Sequence, residues 1–139
     1  MRGKANNVIR IPTSLKSNFF KYWFQFLEPF HNLTPREIEV IASFTKHRYE
    51  LSKAIKDSSA LDVDKILMSE DTKRKVREEC NITPAYFQVI MGKLRQSKVI
   101  INGKINPKFI PKITPDSTSY SLMLLFSIPA NEDETREGV

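Results

Sequence analysis

Between residues 84 and 98, Phe87, Ile90, Met91 and Leu94 recur at the i, i+3, i+4, i+7 spacing of one buried helix face, while Tyr86, Gln88, Lys93, Arg95 and Gln96 lie off it. The spacing predicts a helix over 84–98. Thr83 is placed to cap its free amides, and Pro84 is preset for its first turn. Residues 69–80 predict a helix just before it. Ser69 with Glu70 and Asp71 gives that helix a cap and an acidic first turn that suits its dipole. Asn81 tolerates the left-handed conformation that ends a helix, and Val76, Cys80 and Ile82 are the inward positions. Beyond residue 98, Val99, Ile100 and Ile101 form a β-branched run. Asn102-Gly103 is the pair a two-residue hairpin turn prefers, and Lys104-Ile105 opens the return strand.

Upstream, residues 34–56 predict a helix with Ile38, Ile41, Phe44, Leu51 and Ile55 inward, opened by a capping box of Thr34 and Glu37. Residues 15–30 predict an aromatic helix whose end Pro29 sets near 27–28. On it Phe19, Trp23, Phe26 and Phe30 form one ridge, and Phe20, Phe24 and Leu27 form a second beside it. An apolar arc that broad fits a central core helix. It also fits an interface with a second copy or an assembly partner through Phe19, Phe20, Trp23, Phe24 and Leu27. Base stacking or docking on a membrane surface is the third reading, and the segment lacks the basic–aromatic alternation of a single-strand groove.

Residues 57–64 read as a loop with Asp62 and Asp64 as polar linker residues, and residues 106–115, with Pro107, Pro111 and Pro115, as an extended strap. Residues 119–128 predict a strand that pairs with the hairpin or with an extended segment at 8–11. The fold class is therefore mainly α with a small β-hairpin or sheet (α+β). One domain is expected over 15–128, with a basic arm at 1–14 and an acidic, disordered tail at 129–139.

With 139 residues, 40% of them hydrophobic, the chain can bury a core without disulfides. The single cysteine, Cys80, excludes an internal disulfide and a cysteine-based zinc site, and its apolar position reads as a buried structural thiol. No apolar run approaches the roughly 20 residues that span a bilayer, so no membrane partner is expected. Residues 8–11 are too short for a secretory signal and are broken by Arg10 and Pro12. Asn32-Leu33-Thr34 and Asn81-Ile82-Thr83 match the glycosylation triplet but read as turn-and-cap sequences of an intracellular protein. Catalysis finds little footing. His31 at a turn and His47 between Lys46 and Arg48 read as solvent-facing or capping residues without metal-ligand spacing, and the four glycines form no phosphate loop. No cofactor, metal or small-molecule ligand is expected.

Charge changes the picture more. The formal net charge is +6 and the pI about 9.5, which favours a polyanionic partner. Arg2, Lys4, Arg10, Lys16 and Lys21 all precede the first acidic residue, Glu28, and make the N-terminal part uniformly positive. From 73 to 112, Lys73, Arg74, Lys75, Arg77, Lys93, Arg95, Lys98, Lys104, Lys108 and Lys112 face only Glu78 and Glu79, so charge concentrates on the helix pair and hairpin.

Helix, Asn turn, Thr-Pro-opened helix and basic hairpin, in that order, resemble the winged helix-turn-helix superfamily over residues 33–113. Residues 33–40 (LTPREIEV) are similar to the first helix of response-regulator and sigma-factor DNA-binding domains. Residues 81–95 (NITPAYFQVIMGKLR) and 102–113 (NGKINPKFIPKI) look like segments of small proteins from tailed bacteriophages of gut bacteria. The resemblance implies that the second motif helix enters the major groove of duplex DNA while the wing and N-terminal arm hold phosphates. It implies contacts through Lys73, Arg74, Tyr86, Gln88, Val89, Lys93, Arg95, Lys98 and Lys104, with Gln88 reading adenine. A regulator or an accessory of phage DNA transactions in the bacterial or host cytoplasm would fit. Arg77 departs from the pattern: Ala or Gly usually stands there, and the longer side chain must run outward. Arg77, Val89 and the aromatic helix favour the alternative, an interaction module of a virion or assembly complex that uses the same scaffold for protein contacts.

Overall fold

Thr34 and Glu37 open the longest helix as the capping box requires. The Thr34 hydroxyl accepts from the Glu37 amide at 3.4 Å and the Glu37 carboxylate accepts from the Thr34 amide at 3.0 Å. The computed structural model describes residues 8–55, 60–114, 117–123 and 125–130; the expected basic start at 1–7 and the acidic stretch at 131–139 lie outside them. The elements in chain order are α1 (Phe19–Phe26), α2 (Glu28–His31), α3 (Pro35–Ala54), α4 (Ala60–Leu67), α5 (Glu70–Cys80), α6 (Pro84–Gln96), β1 (Ile100–Ile101), β2 (Lys104–Ile105) and a 3-10 turn (Pro107–Phe109). The fold is mainly helical with one two-stranded antiparallel sheet. No helix among the described residues is long and apolar enough to cross a membrane.

Helix α3 is the axis of the fold, packed by α1, α4, α5 and α6. Ile38, Ile41 and Phe44 are buried as expected, but so are Val40, Ala42, Ser43 and Thr45, while Leu51 and Ile55 are only half-buried. Four neighbouring helices cover the early and middle turns on several sides, and the last turns emerge from under them. Thr45 donates to the Ile41 carbonyl at 2.7 Å, which satisfies its buried hydroxyl.

The aromatic helix begins at Phe19, after a turn over 15–18, and stops at Phe26; Pro29 opens the short α2. Phe20, Trp23 and Phe24, at i, i+3, i+4, pack into the core against α3, and the Trp23 indole donates to the Phe109 carbonyl at 2.8 Å. The expected protein interface is corrected accordingly: Phe20, Trp23 and Phe24 belong to the chain's own core, and Phe19 and Leu27 are half-buried against it. Of the rings in the two ridges, Phe26 and Phe30 are exposed, 51% and 65%. His31 is buried and not solvent-facing. Its Nδ1 accepts from the Leu33 amide at 3.0 Å, which leaves Nε2 to donate to the Phe24 carbonyl at 2.7 Å.

The loop expected over 57–64 is overturned from residue 60 onward, where α4 forms; residues 57–59 lie outside the described residues. Val63 and Leu67, one turn apart, are buried, and Asp64 is no linker residue: it is buried and receives the Arg48 guanidinium at 3.0 Å. Val63 and Leu67 among acidic neighbours make a faint periodic signal, and α3 packs against the helix.

Helix α5 starts on Ser69, whose hydroxyl accepts from the Thr72 amide at 3.4 Å. It ends on Asn81 at φ 55°, ψ 58°. The Ile82 amide reaches back to the Arg77 carbonyl at 2.9 Å and the Asn81 amide to Glu78 at 3.2 Å, the paired bonds of a left-handed helix stop. Thr83 then caps α6 by accepting from the Tyr86 amide at 3.2 Å, and Phe87, Ile90, Met91 and Leu94 are buried as the spacing predicts. Helix α6 stops two residues short of Lys98, which takes φ 66° and cannot continue it. In the hairpin Ile100 faces Ile105 and Ile101 faces Lys104 across Asn102 (φ 51°) and Gly103 (φ 73°), so both turn residues have the positive φ that this turn needs. Buried Val99, Ile100 and Ile105 pin the hairpin to the core.

Two glycine variants check this geometry by denaturant midpoint. Gly103→Val is expected to cost on the order of 1–2 kcal/mol, because a β-branched residue is strained at positive φ. Gly92→Ala is expected to add roughly 0.5–1 kcal/mol, since a Cβ there meets nothing within 4 Å and Ala is the better helix former.

The strap expected over 106–115 begins with the 3-10 turn, seats Phe109 in the core and then runs extended past buried Pro111. The strand expected over 119–128 does not form among the described residues, and neither the hairpin nor the exposed 8–11 segment pairs with it. Tyr120 stands edge-on to Phe19 and Trp23, with centroids 5.6 and 5.5 Å away. Leu122, Met123, Leu125, Phe126 and Ile128 are exposed. An apolar run becomes a strand only where a sheet edge accepts its backbone.

Candidate nucleic-acid interface

At 100° per residue, burial of Phe87, Ile90, Met91 and Leu94 turns Ala85, Val89, Gly92 and Gln96 to the opposite side of α6. Gln88 and Arg95 flank that side on one edge, Tyr86 and Lys93 on the other. Val89 is 57% exposed, and open space lies beyond Gly92. The helix is held from beneath: Phe87 packs against Phe44 with centroids 6.1 Å apart, and the Arg77 guanidinium lies over the Phe87 ring at 5.5 Å. Arg77 is half-buried, with its guanidinium stacked on a core aromatic of α6.

Arg36 clamps the turn between α5 and α6 from the start of α3, donating to the Cys80 carbonyl at 2.9 Å and the Asn81 carbonyl at 3.3 Å. These carbonyls lie at the helix end, where acceptors lack intrahelical donors. Nothing near residue 36 in the chain announces this role.

The expected contact residues divide into two electrostatic groups. On α5, Lys73 pairs with Glu70 at 3.8 Å, and Arg74 pairs with Asp71 and with Glu78 at 4.0 Å, so these cations are offset by their own helix. Their i, i+3 and i, i+4 spacing was the sequence signal for this. Lys93, Arg95, Lys98, Lys104, Lys108 and Lys112 make no ion pair among the described residues. Residues 81–115 contain these six cations and no Asp or Glu, a local charge of +6 that equals the formal charge of the whole chain. All are exposed except Lys104, which is half-buried in the hairpin. Tyr86, Gln88 and Val89 are exposed on the same helix.

A second polar cluster sits between α3 and α5. Glu79 accepts from the Ser43 hydroxyl at 2.7 Å and from His47 Nε2 at 3.0 Å, with the Lys46 ammonium 3.6 Å away. Burial pushes the Glu79 carboxyl up, but the Ser43 hydrogen bond and the His47 and Lys46 charges outweigh it and hold it below its usual range. Cys80, half-buried, points its thiol at the Glu39 carbonyl, 3.6 Å away. Burial and then the Glu39 and Glu79 charges push that thiol up to about 11, so it stays protonated and unreactive at neutral pH. An open cleft of about 400 Å³ borders these groups. Ser43 and His47 both address Glu79 and not each other, so they form no nucleophile–base pair. The cluster is a clamp between two helices, and His47 is largely covered instead of lying free on the surface. Among the described residues no three His, Cys, Asp or Glu side chains converge as a metal site.

The chain matches no family model, no curated protein and no solved structure. What this surface can bind follows from its own shape and charge.

Proposed function

We propose that this is a winged helix-turn-helix protein that binds duplex DNA, with α5 and α6 as the helix pair and the β1–β2 hairpin as the wing. The observation that carries the reading is the run of six cations along α6, the hairpin and the strap, with no acidic residue among them in the sequence and no ion pair among the described residues. An uncompensated array of this kind suits the duplex phosphates, whose condensed counterions it would release. In this reading the open side of α6 seats in the major groove and Gln88 bonds adenine. Lys93, Arg95, Lys98 and Lys104 hold phosphates, while Lys73 and Arg74 contribute less because their own helix offsets them. Such an activity suits a regulator or an accessory of phage DNA transactions.

A mobility-shift titration of the full chain against mixed-sequence duplexes tests it. A shift at low salt that weakens as salt rises is expected, and its absence at low salt overturns the reading. Exposed Leu122, Met123, Leu125, Phe126 and Ile128 favour a second reading, a protein-interaction module of a virion or assembly complex. Self-association in sedimentation without any duplex shift would put that reading first.

A further inference from the structure

We infer that α6 selects A·T-rich duplex, with Val89 and Ala85 packing on thymine 5-methyl groups next to Gln88 on adenine. The inference rests on the DNA-binding reading and adds what the helix recognises. In the major groove a G·C pair offers guanine O6 and N7 to Arg or Lys and cytosine N4 to a carboxylate; an A·T pair offers adenine N6 and N7 to Asn or Gln and a methyl group to apolar side chains. The first two turns of α6, residues 84–91, contain no Arg, Lys, Asp or Glu. Their exposed side chains beyond the opening proline are Ala85, Tyr86, Gln88 and Val89. This part of the helix thus lacks both charged partners a G·C pair calls for and has both kinds an A·T pair calls for.

Val89 sits near the middle of the open side, one turn after Ala85. The absent side chain of Gly92, one turn further on, leaves the approach to Val89 clear. Methyl burial restores the desolvation that Val89 forgoes in the free protein. At the transfer free energy of one buried methylene-sized group, each thymine methyl contacted is worth about four-fold in affinity. A G·C-rich duplex in the same place would leave cytosine N4–H and guanine O6 facing apolar carbon, with their hydrogen bonds to water lost.

The test uses four duplexes of one length: an A·T-rich sequence with thymine, the same with deoxyuridine, a G·C-rich sequence with cytosine, and the same with 5-methylcytosine. Wild-type chain, Val89→Ala and Gln88→Ala are titrated against each at one salt concentration, with far-UV circular dichroism confirming that the exposed-site variants fold. The thymine duplex should bind about four-fold tighter than the deoxyuridine duplex for each methyl contacted. 5-Methylcytosine should recover part of the loss on G·C. Val89→Ala should bind with the thymine-to-uracil ratio reduced towards one, and Gln88→Ala should narrow the A·T-to-G·C ratio by about ten-fold. Equal binding to thymine and deoxyuridine duplexes, or an undiminished ratio in Val89→Ala, overturns the inference while leaving DNA binding intact. Failure to bind any of the four overturns DNA binding itself, and the inference with it.

Discussion

Phe24→Glu is expected to unfold the protein and Phe30→Glu to leave it folded. Phe24, on α1, is fully buried where that helix packs on α3, beside the His31 ring. Deleting a buried ring costs about 3–5 kcal/mol, and an unpaired carboxylate left among apolar groups adds several more. Together these rival the roughly 5–15 kcal/mol that holds a typical domain folded. Phe30 lies at the surface, where a substitution usually shifts stability by no more than about 0.5 kcal/mol. Far-UV circular dichroism and urea titration distinguish the two variants. A folded, monomeric Phe24→Glu protein would show that α1 is an interface and not core. Should the wild-type chain self-associate through its aromatic segment, Phe26 and Phe30 are the rings open to a second copy, and Phe30→Glu should weaken the association without unfolding.

Duplex affinity is expected to fall on the order of 10²–10³-fold between about 50 and 200 mM salt if four to six of the cations at 93–112 meet phosphates. Lys98→Ala and Lys104→Ala should each lower the slope of log affinity against log salt by about 0.9 and weaken binding by a similar factor on every sequence, because phosphate contacts carry no base identity. Lys73→Ala should change the slope less, because Glu70 already shares that charge. Equal slopes for wild type and all three variants would remove the hairpin and the end of α6 from the interface.

Much of the α5–α6–hairpin segment was legible before any tertiary contact, because its signals are local. A buried face repeats every turn, Asn81 and Gly103 accept positive φ, and Thr83 and Ser69 bond to amides three residues on. The same holds for the capping box of α3 and for the concentration of positive charge after residue 81. The offsetting of Lys73 and Arg74 by acids within one turn also lay in the spacing.

Other features needed the assembled chain. Two aromatic ridges on α1 look equally apolar in isolation, and contact with α3 decided that Phe20, Trp23 and Phe24 go inside while Phe26 and Phe30 stay out. Helix α4 is short and carries Asp62 and Asp64 among its apolar residues, so its period is faint, and packing on α3 with the Arg48–Asp64 pair holds it. Residues 119–128 are apolar enough for a strand, but among the described residues none pairs with them. Arg36 at the α5–α6 turn and the Ser43–His47–Glu79 clamp join positions more than 30 residues apart. Sequence periodicity reports which backbone a segment adopts and how apolar each side is, since both depend on residues within a turn or two. Which apolar side is covered, and which polar group meets which, depends on surfaces brought by distant parts of the chain, and only packing in three dimensions supplies them.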